Sequence, residues 1–453
     1  MSSLFSTNLT TITQGDVPST EDSRQELTYP QVILSAAIIG IAGGFIATCY
    51  YYLLESSLHL VWHQIPEILK SFSLFNFLSG NYIWIATTIG GLLVGLTLRF
   101  MGLPGEVSLV VDKVHDPGLI ELKQTPAMIV ASLFSITAGG SAGPEAPLVQ
   151  INGSLGGWLA QKQSLNLRST RILTFCGMSA ALGAFFGAPL GGALFALELP
   201  HRRGLEYYEA LIPAVLSAIL SFVVFRLNTG LSIGGMYHFA SVPPLTMMNL
   251  AQGAVLGAIG AAVAVLFVLV FRTVGMLTKH LEHHTIMLAT LGGLSIGLIG
   301  LVFPQTLFFG EREIETIVQT GSTFGAGLLL MIGLAKMLAI SCTLHSGFRG
   351  GFIFPLFYIG ASVGLAIALS FPQIHPTIGM VCLMAAVNVA ITKTPISTTV
   401  ILSVLSDTAM VPVIVIASFT SFLLTTQLTM IKTQRSRSAF VIERKIIPQN
   451  TAV

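Results

Sequence analysis

Long apolar runs alternate along the chain with short polar or glycine- and proline-rich interruptions. Most of the runs approach the ~20 residues that a helix needs to cross a bilayer, and they are continuous, which favours helices over strands of alternating polarity. The predicted helical segments are, in chain order, Tyr29–Leu54, Tyr82–Phe100, Thr125–Thr137, Pro144–Gln161, Tyr208–Leu227, Ala251–Val274, Ile286–Phe303, Leu328–Ser341, Pro355–Ser370, Ile378–Ile391, Pro395–Leu405 and Val411–Met430.

Other apolar runs are short or broken. Ile172–Gly183 and Ala188–Leu199 are predicted to be too short to span a bilayer. Irregular backbone at membrane depth is tolerated only where protein or a water-filled path surrounds it. The sequence therefore favours a transporter or channel over a simple helix bundle.

Two pairs of similar motifs indicate an internal duplication. Pro147-Leu148 matches Pro355-Leu356, 208 positions later, and Pro189-Leu190 matches Pro395-Ile396, 206 positions later. Nearly equal offsets favour duplication over chance, and broken segments at corresponding places in two halves are typical of a transport site.

Composition supports an integral membrane protein. Of 453 residues, 53% are hydrophobic and 9% are charged, and mean hydropathy is +0.80. A net charge of +2 gives no reason to expect a nucleic-acid partner. The four cysteines lie in apolar segments without metal-ligand spacing, so we predict packing roles for them and no cofactor or metal.

The polar ends frame the membrane region. Residues 1–28 lack the apolar region of a signal peptide and are interpreted as a cytoplasmic leader. The basic tail, 432–453, is predicted to be cytoplasmic by the positive-inside rule. The transmembrane domain is then 29–431, with halves at roughly 29–227 and 247–431. We predict that it lies in the plasma (inner) membrane.

The strongest candidate for function is Glu145, which follows a glycine-rich loop within the stretch Thr137–Gly157. A carboxylate facing lipid costs a few kcal/mol, so Glu145 is expected to face a cavity or a partner. Pro144-Glu145 is typical of a helix N-terminus, whose free N–H groups attract anions, and a glutamate there can take the place of an anion. The alternative is an ordinary interfacial helix start with an acidic first turn.

Other polar residues have competing interpretations. The second glycine loop, Gly347–Phe354, is either a second anion-binding helix end or a turn between helices. Glu198 is either structural or a proton carrier, and Asp407 is predicted to cap a helix. Lys336, with His345 and Arg349, either belongs to a basic funnel or carries interface charge.

Three segments resemble signature regions of the CLC chloride channels and proton-coupled anion exchangers: GPEAPLVQINGSLGG, AALGAFFGAPLGGALFALELPHRR and SGFRGGFIFPLFYIGASVG. The resemblance covers most of the chain, from about Tyr29 onward. It implies an all-α integral membrane fold, an inverted-repeat bundle of tilted and broken helices. It also implies a homodimer in membrane lipid with one anion pathway per subunit, carrying chloride or other small anions.

The resemblance also implies residue roles. Glu145 matches the gating glutamate, which blocks the outer anion site until it swings away or takes a proton. Ala146 and Pro144 stand where the family usually has glycine and arginine. The backbone amides implied to face anions are those of Gly143, Ala146, Gly350, Gly351, Phe352 and Ile353.

Three departures from the family pattern bear on mechanism. Met101 stands where a serine usually contributes a hydroxyl to the central anion, and a methionine at this place occurs in the fluoride-exporting branch. The nearest hydroxyl in this sequence is that of Ser108. The usual C-terminal tyrosine is missing, and Arg435 lies in that region. Leu199 stands where proton-coupled members carry an inner glutamate. We therefore expect channel-like passive conduction, with proton-coupled antiport of chloride or fluoride as the alternative.

Two hypotheses belong to other classes. A Gly-x-Ser motif, Gly177-Met178-Ser179, is compatible with an intramembrane hydrolase, but the histidines fall mostly in loops and no base is evident. A purely structural scaffold would not need two glycine-rich helix ends. The sequence thus predicts a protein that is not an enzyme.

Overall fold

The computed structural model describes residues 24–70, 80–102, 107–231 and 237–436. Within these ranges the chain is almost entirely helical, and extended pairing is confined to two isolated bridges, Gln25–Leu165 and Gly143–Gly351. The predicted all-α class is confirmed. Most of the predicted leader and most of the basic tail lie outside the described residues.

The first half begins with a long helix that continues through a π-helical turn, Leu60–Gln64, into a short helix. Its helices are α1 (Tyr29–His59), α2 (Ile65–Lys70), α3 (Tyr82–Met101), α4 (Val107–His115), α5 (Thr125–Thr137), α6 (Glu145–Lys162), α7 (Leu167–Phe186), α8 (Pro189–Glu198) and α9 (Leu211–Thr229).

The second half has a similar series. Its helices are α10 (Met247–Thr278), α11 (Thr285–Val302), α12 (Glu311–Thr320), α13 (Gly325–His345), α14 (Ile353–Ser370), α15 (Pro376–Thr392), α16 (Pro395–Leu405) and α17 (Val411–Leu424). Over the described residues of both halves, eight helical stretches are long and apolar enough to cross a membrane. The chain is an integral multi-pass membrane protein.

The order of elements repeats between the halves. Helices α6 to α9 correspond to α14 to α17, and a 3₁₀ turn precedes the last helix of each series, at Tyr208–Ala210 and Thr408–Met410. The packing repeats as well, since α1 contacts α7 and α9 just as α10 contacts α15 and α17. Asp407 caps the second 3₁₀ turn as predicted, because its Oδ1 accepts a hydrogen bond from Ala409 N at 2.9 Å.

Corresponding helices meet in opposite directions. In the α3–α11 contact, a Cβ built on Gly91 would lie 2.3 Å from Ala289 O, and one on Gly297 would lie 2.5 Å from Trp84 Cα. Helices α3 and α11 are therefore antiparallel to each other. Small residues permit this close approach of helices in a membrane. The two halves thus face each other as an inverted pair.

Helix α7 is longer than the apolar run from which it was predicted. The run Ile172–Gly183 was predicted to be too short, yet α7 has 20 residues and is long enough to span. Its first turns are polar, and Arg171 is enclosed by protein, with 9% of its surface exposed. Arg171 donates hydrogen bonds to Val114 O (3.0 Å) and His115 O (2.9 Å), and its guanidinium lies over the ring of Tyr207. Those contacts allow a charged residue to lie inside the fold.

Lys336 contradicts both interpretations made from sequence. Its side chain is fully buried, so it lines neither a funnel nor an interface. Nζ donates to Thr306 O at 3.1 Å and to Phe308 O at 2.8 Å, and it lies near Leu307 O. Phe308 N in turn donates to Gly139 O at 3.2 Å. Lys336 thereby braces the glycine loop that precedes Glu145.

Both ends of the described chain lie near the start of α7. Leu27 N donates to Ser169 Oγ at 3.2 Å, and Arg435 N donates to Pro200 O at 3.2 Å, close to His115 and the Arg171 contacts. We call this face the termini side and the opposite face the far side.

Candidate functional site

Glu145 is the first residue of α6 and is 1% exposed. Its Oε1 accepts hydrogen bonds from two backbone amides at the start of α14, Ile353 N at 2.9 Å and Phe354 N at 3.4 Å. The amides at the start of a helix have no partner within the helix, and they carry the positive end of its dipole. The carboxylate of one half therefore occupies the anion-attracting helix end of the other half.

The two glycine loops pair with each other beside this contact. Gly143 N donates to Gly351 O, and Gly351 N donates to Gly143 O, both at 2.7 Å. The sequence predicts that these two amides bind an anion, but in the structure each donates to a carbonyl of the opposite loop. Of the amides proposed for the anion, that of Ile353 contacts the carboxylate, and Phe354 is a donor that the sequence reading missed.

The carboxylate fits because both loops carry glycine next to it. A Cβ on Gly143 would lie 2.0 Å from Glu145 Oε2, and a Cβ on Gly351 would lie 2.3 Å from Glu145 Cγ. Such distances are well below van der Waals contact. Any larger residue at either position has to displace the Glu145 side chain or the loop.

The second carboxylate oxygen is in a different environment. Oε2 of Glu145 is buried and has no hydrogen-bond partner among the described residues. An unsatisfied buried acceptor is costly, more so when it carries charge. A proton on Oε2 would lower that cost, and it would also weaken the hold of the carboxylate on the amides.

A small cavity of about 40 Å³ lies beside Glu145, and we call it the central cavity. One water molecule needs about 10–15 Å³ of such space, so the central cavity accepts a small ion or a few waters. Glu145, Ala146, Gly351, Phe352 and Ile353 contribute to its wall. The remaining lining residues are mostly apolar: Val110, Val149, Met178, Leu182, Phe195, Leu199 and Thr392.

The residues proposed at the inner end separate into two groups. Leu199 lines the central cavity, so an apolar side chain occupies that position. Glu198 is fully buried, and its carboxylate binds the start of α16. Oε1 accepts from Ile396 N at 3.2 Å, and Oε2 accepts from Ser397 N at 2.9 Å and Ser397 Oγ at 2.7 Å. Glu198 thus stabilises a helix N-terminus, as an acidic cap does.

Gln434 is a residue whose role the sequence did not reveal. It is 5% exposed, and its Nε2 donates to Leu199 O at 2.8 Å and to Thr392 O at 2.7 Å. Both acceptors belong to residues that line the central cavity. Arg435, which lies in the region of the missing tyrosine, forms an ion pair with Asp112. The C-terminal segment therefore closes the termini side of the central cavity.

The structure does not locate a hydroxyl for the central anion in the expected loop. Met101 is the last residue of α3, is 48% exposed and does not line the central cavity. Ser108 belongs to α4, but its side chain lies outside the described residues. Gly350 lies against Ala142 and the Gly143 carbonyl, which leaves no room for a side chain.

His115, on α4 and outside the membrane-spanning helices, gives the fold a pH dependence. It is 1% exposed, and burial lowers its pKa to about 4, with smaller contributions from His201, Arg171 and Arg435. Its Nε2 contacts Pro200 O at 3.0 Å. The folded protein therefore holds this imidazole neutral at a pH where the unfolded chain would bind a proton.

We expect acidification to destabilise the fold through His115. Because the folded pKa lies below the unfolded value, stability falls as the pH drops from about 6.5 toward 4. Between pH 7.5 and pH 5 the loss is roughly 2 kcal/mol. Thermal unfolding in detergent should show His115→Gln losing less stability than the wild type over this interval. His280→Gln, at an exposed histidine, is the control, and equal losses in all three proteins would contradict the assignment.

Comparisons with known proteins agree with this geometry. A family model described as "Voltage gated chloride channel" matches residues 90–426. A "Chloride/fluoride channel protein" of Pseudomonas syringae pv. tomato is 29% identical over 354 residues, which are 75% of each chain.

Two solved structures share the fold. The crystal structure of a CLC-type fluoride/proton antiporter has a TM-score of 0.76 at 22% identity, covering 90% of this chain and all of that one. The crystal structure of a slow cyanobacterial Cl⁻/H⁺ antiporter has a TM-score of 0.77 at 20% identity, covering 94% of this chain and all of that one.

Proposed function

Because the chain belongs to the voltage-gated chloride channel family, matched over residues 90–426, we propose that it carries chloride or another small anion across a membrane past Glu145. The observation that carries the proposal is the pair of hydrogen bonds from Ile353 N and Phe354 N to Glu145 Oε1. A carboxylate oxygen and a halide ion are interchangeable acceptors for such amides.

The proposed mechanism is competition for one site. While Glu145 is ionised and seated, it occupies the amides and closes the path beside the central cavity. An arriving anion displaces the carboxylate, or a proton on Oε2 removes the charge that holds it there. In either case the amides at the start of α14 become available to the anion.

We propose that conduction is passive and gated by Glu145. The apolar wall of the central cavity supports this mode, because a hydrophobic constriction can gate by excluding water. The two residues at the termini side of the central cavity, Glu198 and Leu199, also support passive conduction. Leu199 offers no proton acceptor, and the Glu198 oxygens are engaged by the start of α16.

Proton-coupled antiport of chloride or fluoride is the second candidate, and one observation favours it. Glu145 Oε2 is buried without a hydrogen-bond partner among the described residues, so it is a ready place for a transported proton. Under this candidate the same carboxyl group would alternate between binding a proton and yielding to an anion.

The proposed setting is a homodimer in the plasma (inner) membrane with the termini side cytoplasmic. Basic residues on the termini side support the orientation by the positive-inside rule: Arg24, Lys162, Arg168, Arg202, Arg203 and Lys432. An intramembrane hydrolase has less support. Ser179 is fully buried, and its Oγ has no hydrogen-bond partner among the described residues, so no base is within reach.

Anion efflux from proteoliposomes tests the proposal, with and without a pH gradient, for the wild type and Glu145→Gln. In the wild type we expect chloride efflux that rises as the pH falls, without uphill proton movement. In Glu145→Gln the carboxylate cannot ionise, so efflux should become independent of pH. Glu282→Gln, at an exposed glutamate between helices, should behave as the wild type.

Each alternative gives a different result in the same assay. Uphill proton movement driven by a chloride gradient, present in the wild type and absent in Glu145→Gln, would replace passive conduction by antiport. Absence of anion flux in both proteins would refute the proposed function. Flux with unchanged pH dependence in Glu145→Gln would refute the gating role of Glu145.

A further inference from the structure

A second and larger cavity, of about 220 Å³, lies on the far side of Glu145, and we call it the far cavity. Pro144 and Leu148 line it, so it begins directly beside the start of α6. Its charged lining residues are Glu55, Arg226 and Glu311, contributed by α1, α9 and α12. An anion that reaches Glu145 through the far cavity passes these three side chains.

The negative charge of Glu55 is locally balanced. Its Oε2 lies 2.7 Å from Nη2 of Arg312, in a direct ion pair. The pair is partly exposed, with 75% of the Arg312 side chain and 34% of the Glu55 side chain accessible. A partly solvated pair of this kind contributes little field inside the cavity.

Arg226 is not balanced in this way. Among the described residues no carboxylate lies within 4.0 Å of it, and its Nε is buried without a hydrogen-bond partner. Glu311 interacts with it through space only. The guanidinium lies over the rings of Phe222 and Phe225, 5.4 and 6.0 Å from their centroids. Cationic groups within transmembrane helices are costly, and they are generally retained at ion or substrate pathways.

The position of Arg226 explains how the cation is accommodated. It lies in the last turn of α9, and its guanidinium reaches the end of α7, where a Cβ on Gly187 would lie 2.4 Å from Nη2. Gly187 has a φ of +64°, as a residue that ends a helix commonly does. The C-terminal end of a helix dipole stabilises a cation. The arrangement thus holds the guanidinium at the cavity wall while its Nε keeps a free donor.

We propose that Arg226 forms an anion-capture site in the far cavity, which holds a small monovalent anion such as chloride before it reaches Glu145. The inference deepens the proposed function and rests on it. Glu311 lines the same cavity and lowers the attraction for the anion. Capture is therefore set by two opposite charges on α9 and α12, while the Glu55–Arg312 pair has little part in it.

Four variants test this site in proteoliposomes: Arg226→Gln, Arg226→Lys, Glu311→Gln and the double variant Glu55→Gln/Arg312→Gln. The quantity measured is the chloride concentration that gives half-maximal flux. We expect Arg226→Gln to raise it about tenfold, because one positive charge beside the ion is removed. Arg226→Lys should stay close to the wild type, and Glu311→Gln should lower the value. The double variant Glu55→Gln/Arg312→Gln is the matched control, because it removes an arginine near the same cavity together with the glutamate that it neutralises, and it should change the value less than twofold.

The proposal is overturned if Arg226→Gln leaves the half-maximal concentration unchanged, or if the double variant Glu55→Gln/Arg312→Gln shifts it equally, since that would mark an effect that does not depend on Arg226. If Arg226→Gln does not fold, Glu311→Gln decides, and an unchanged value in that variant overturns the proposal. Calorimetric titration of the purified proteins with sodium chloride separates the hypothesis of an anion-capture site from the hypothesis of anion transport. Absence of flux in the wild type refutes transport, whereas equal chloride binding by wild type and Arg226→Lys, weakened in Arg226→Gln, still supports the site.

Discussion

Replacement of Gly351 by alanine is expected to abolish the pH dependence of anion flux, with an effect as large as that of Glu145→Gln. The new Cβ would lie 2.3 Å from Cγ and 2.4 Å from Cδ of Glu145. The backbone hydrogen bonds between Gly351 and Gly143 hold Gly351 in place. The side chain of Glu145 therefore has to move away from the new methyl group. The amides of Ile353 and Phe354 then lose the carboxylate, and protonation no longer controls them.

Efflux measured between pH 5 and pH 8 checks this result. Gly327→Ala is the control, because it adds the same methyl group to a glycine of α13 that has no atom within 4 Å of the new Cβ. Helix propensity alone should stabilise Gly327→Ala by up to about 1 kcal/mol. If Gly351→Ala keeps the pH dependence of the wild type, Glu145 is not seated as described.

Lys336→Met should lose the most stability of the substitutions considered, about 3 kcal/mol or more. Methionine fills a similar volume but cannot donate to the carbonyls of Thr306 and Phe308, which would then be buried without their partner. The loss extends to the site, because the segment at Phe308 also bonds to Gly139 in the loop before Glu145. Thermal unfolding in detergent measures the first effect, and the fraction of active protein in proteoliposomes measures the second.

Lys279→Met supplies the comparison, since Lys279 is exposed just after α10. That substitution should change the unfolding temperature little. Equal unfolding temperatures for Lys336→Met and Lys279→Met would show that the buried hydrogen bonds of Lys336 are replaced, for example by water. Loss of activity with unchanged stability would instead assign Lys336 a direct part in transport.

Much of the architecture could be predicted from local pattern. Runs of apolar residues predicted most of the spanning helices. The spacing of Pro147 and Pro355 indicated a duplication, and the order of helices in the two halves agrees with it. Glycine followed by Pro144 and Glu145 is a short-range signal for a helix start. Apolar runs and helix starts depend on neighbouring residues, and the duplication is found by comparing two parts of the same chain, so one sequence is enough to detect them.

The parts that could not be predicted depend on contacts between distant residues. Arg171 reads as polar in sequence, and only its enclosure by Tyr207 and the α4 carbonyls makes it part of a spanning helix. The Gly143–Gly351 pairing removes two amides from the expected anion site, and no local pattern indicates it. Gln434 likewise bonds to residues 235 and 42 positions away.

The contact between the halves makes the gate a joint property of both. The carboxylate of Glu145 belongs to the first repeat, whereas the amides of Ile353 and Phe354 belong to the second. Neither half carries both groups, so a fragment that ends before α14 cannot form this contact by itself. Any change in how the two halves pack against each other is therefore also a change in the distance between the acid and the amides.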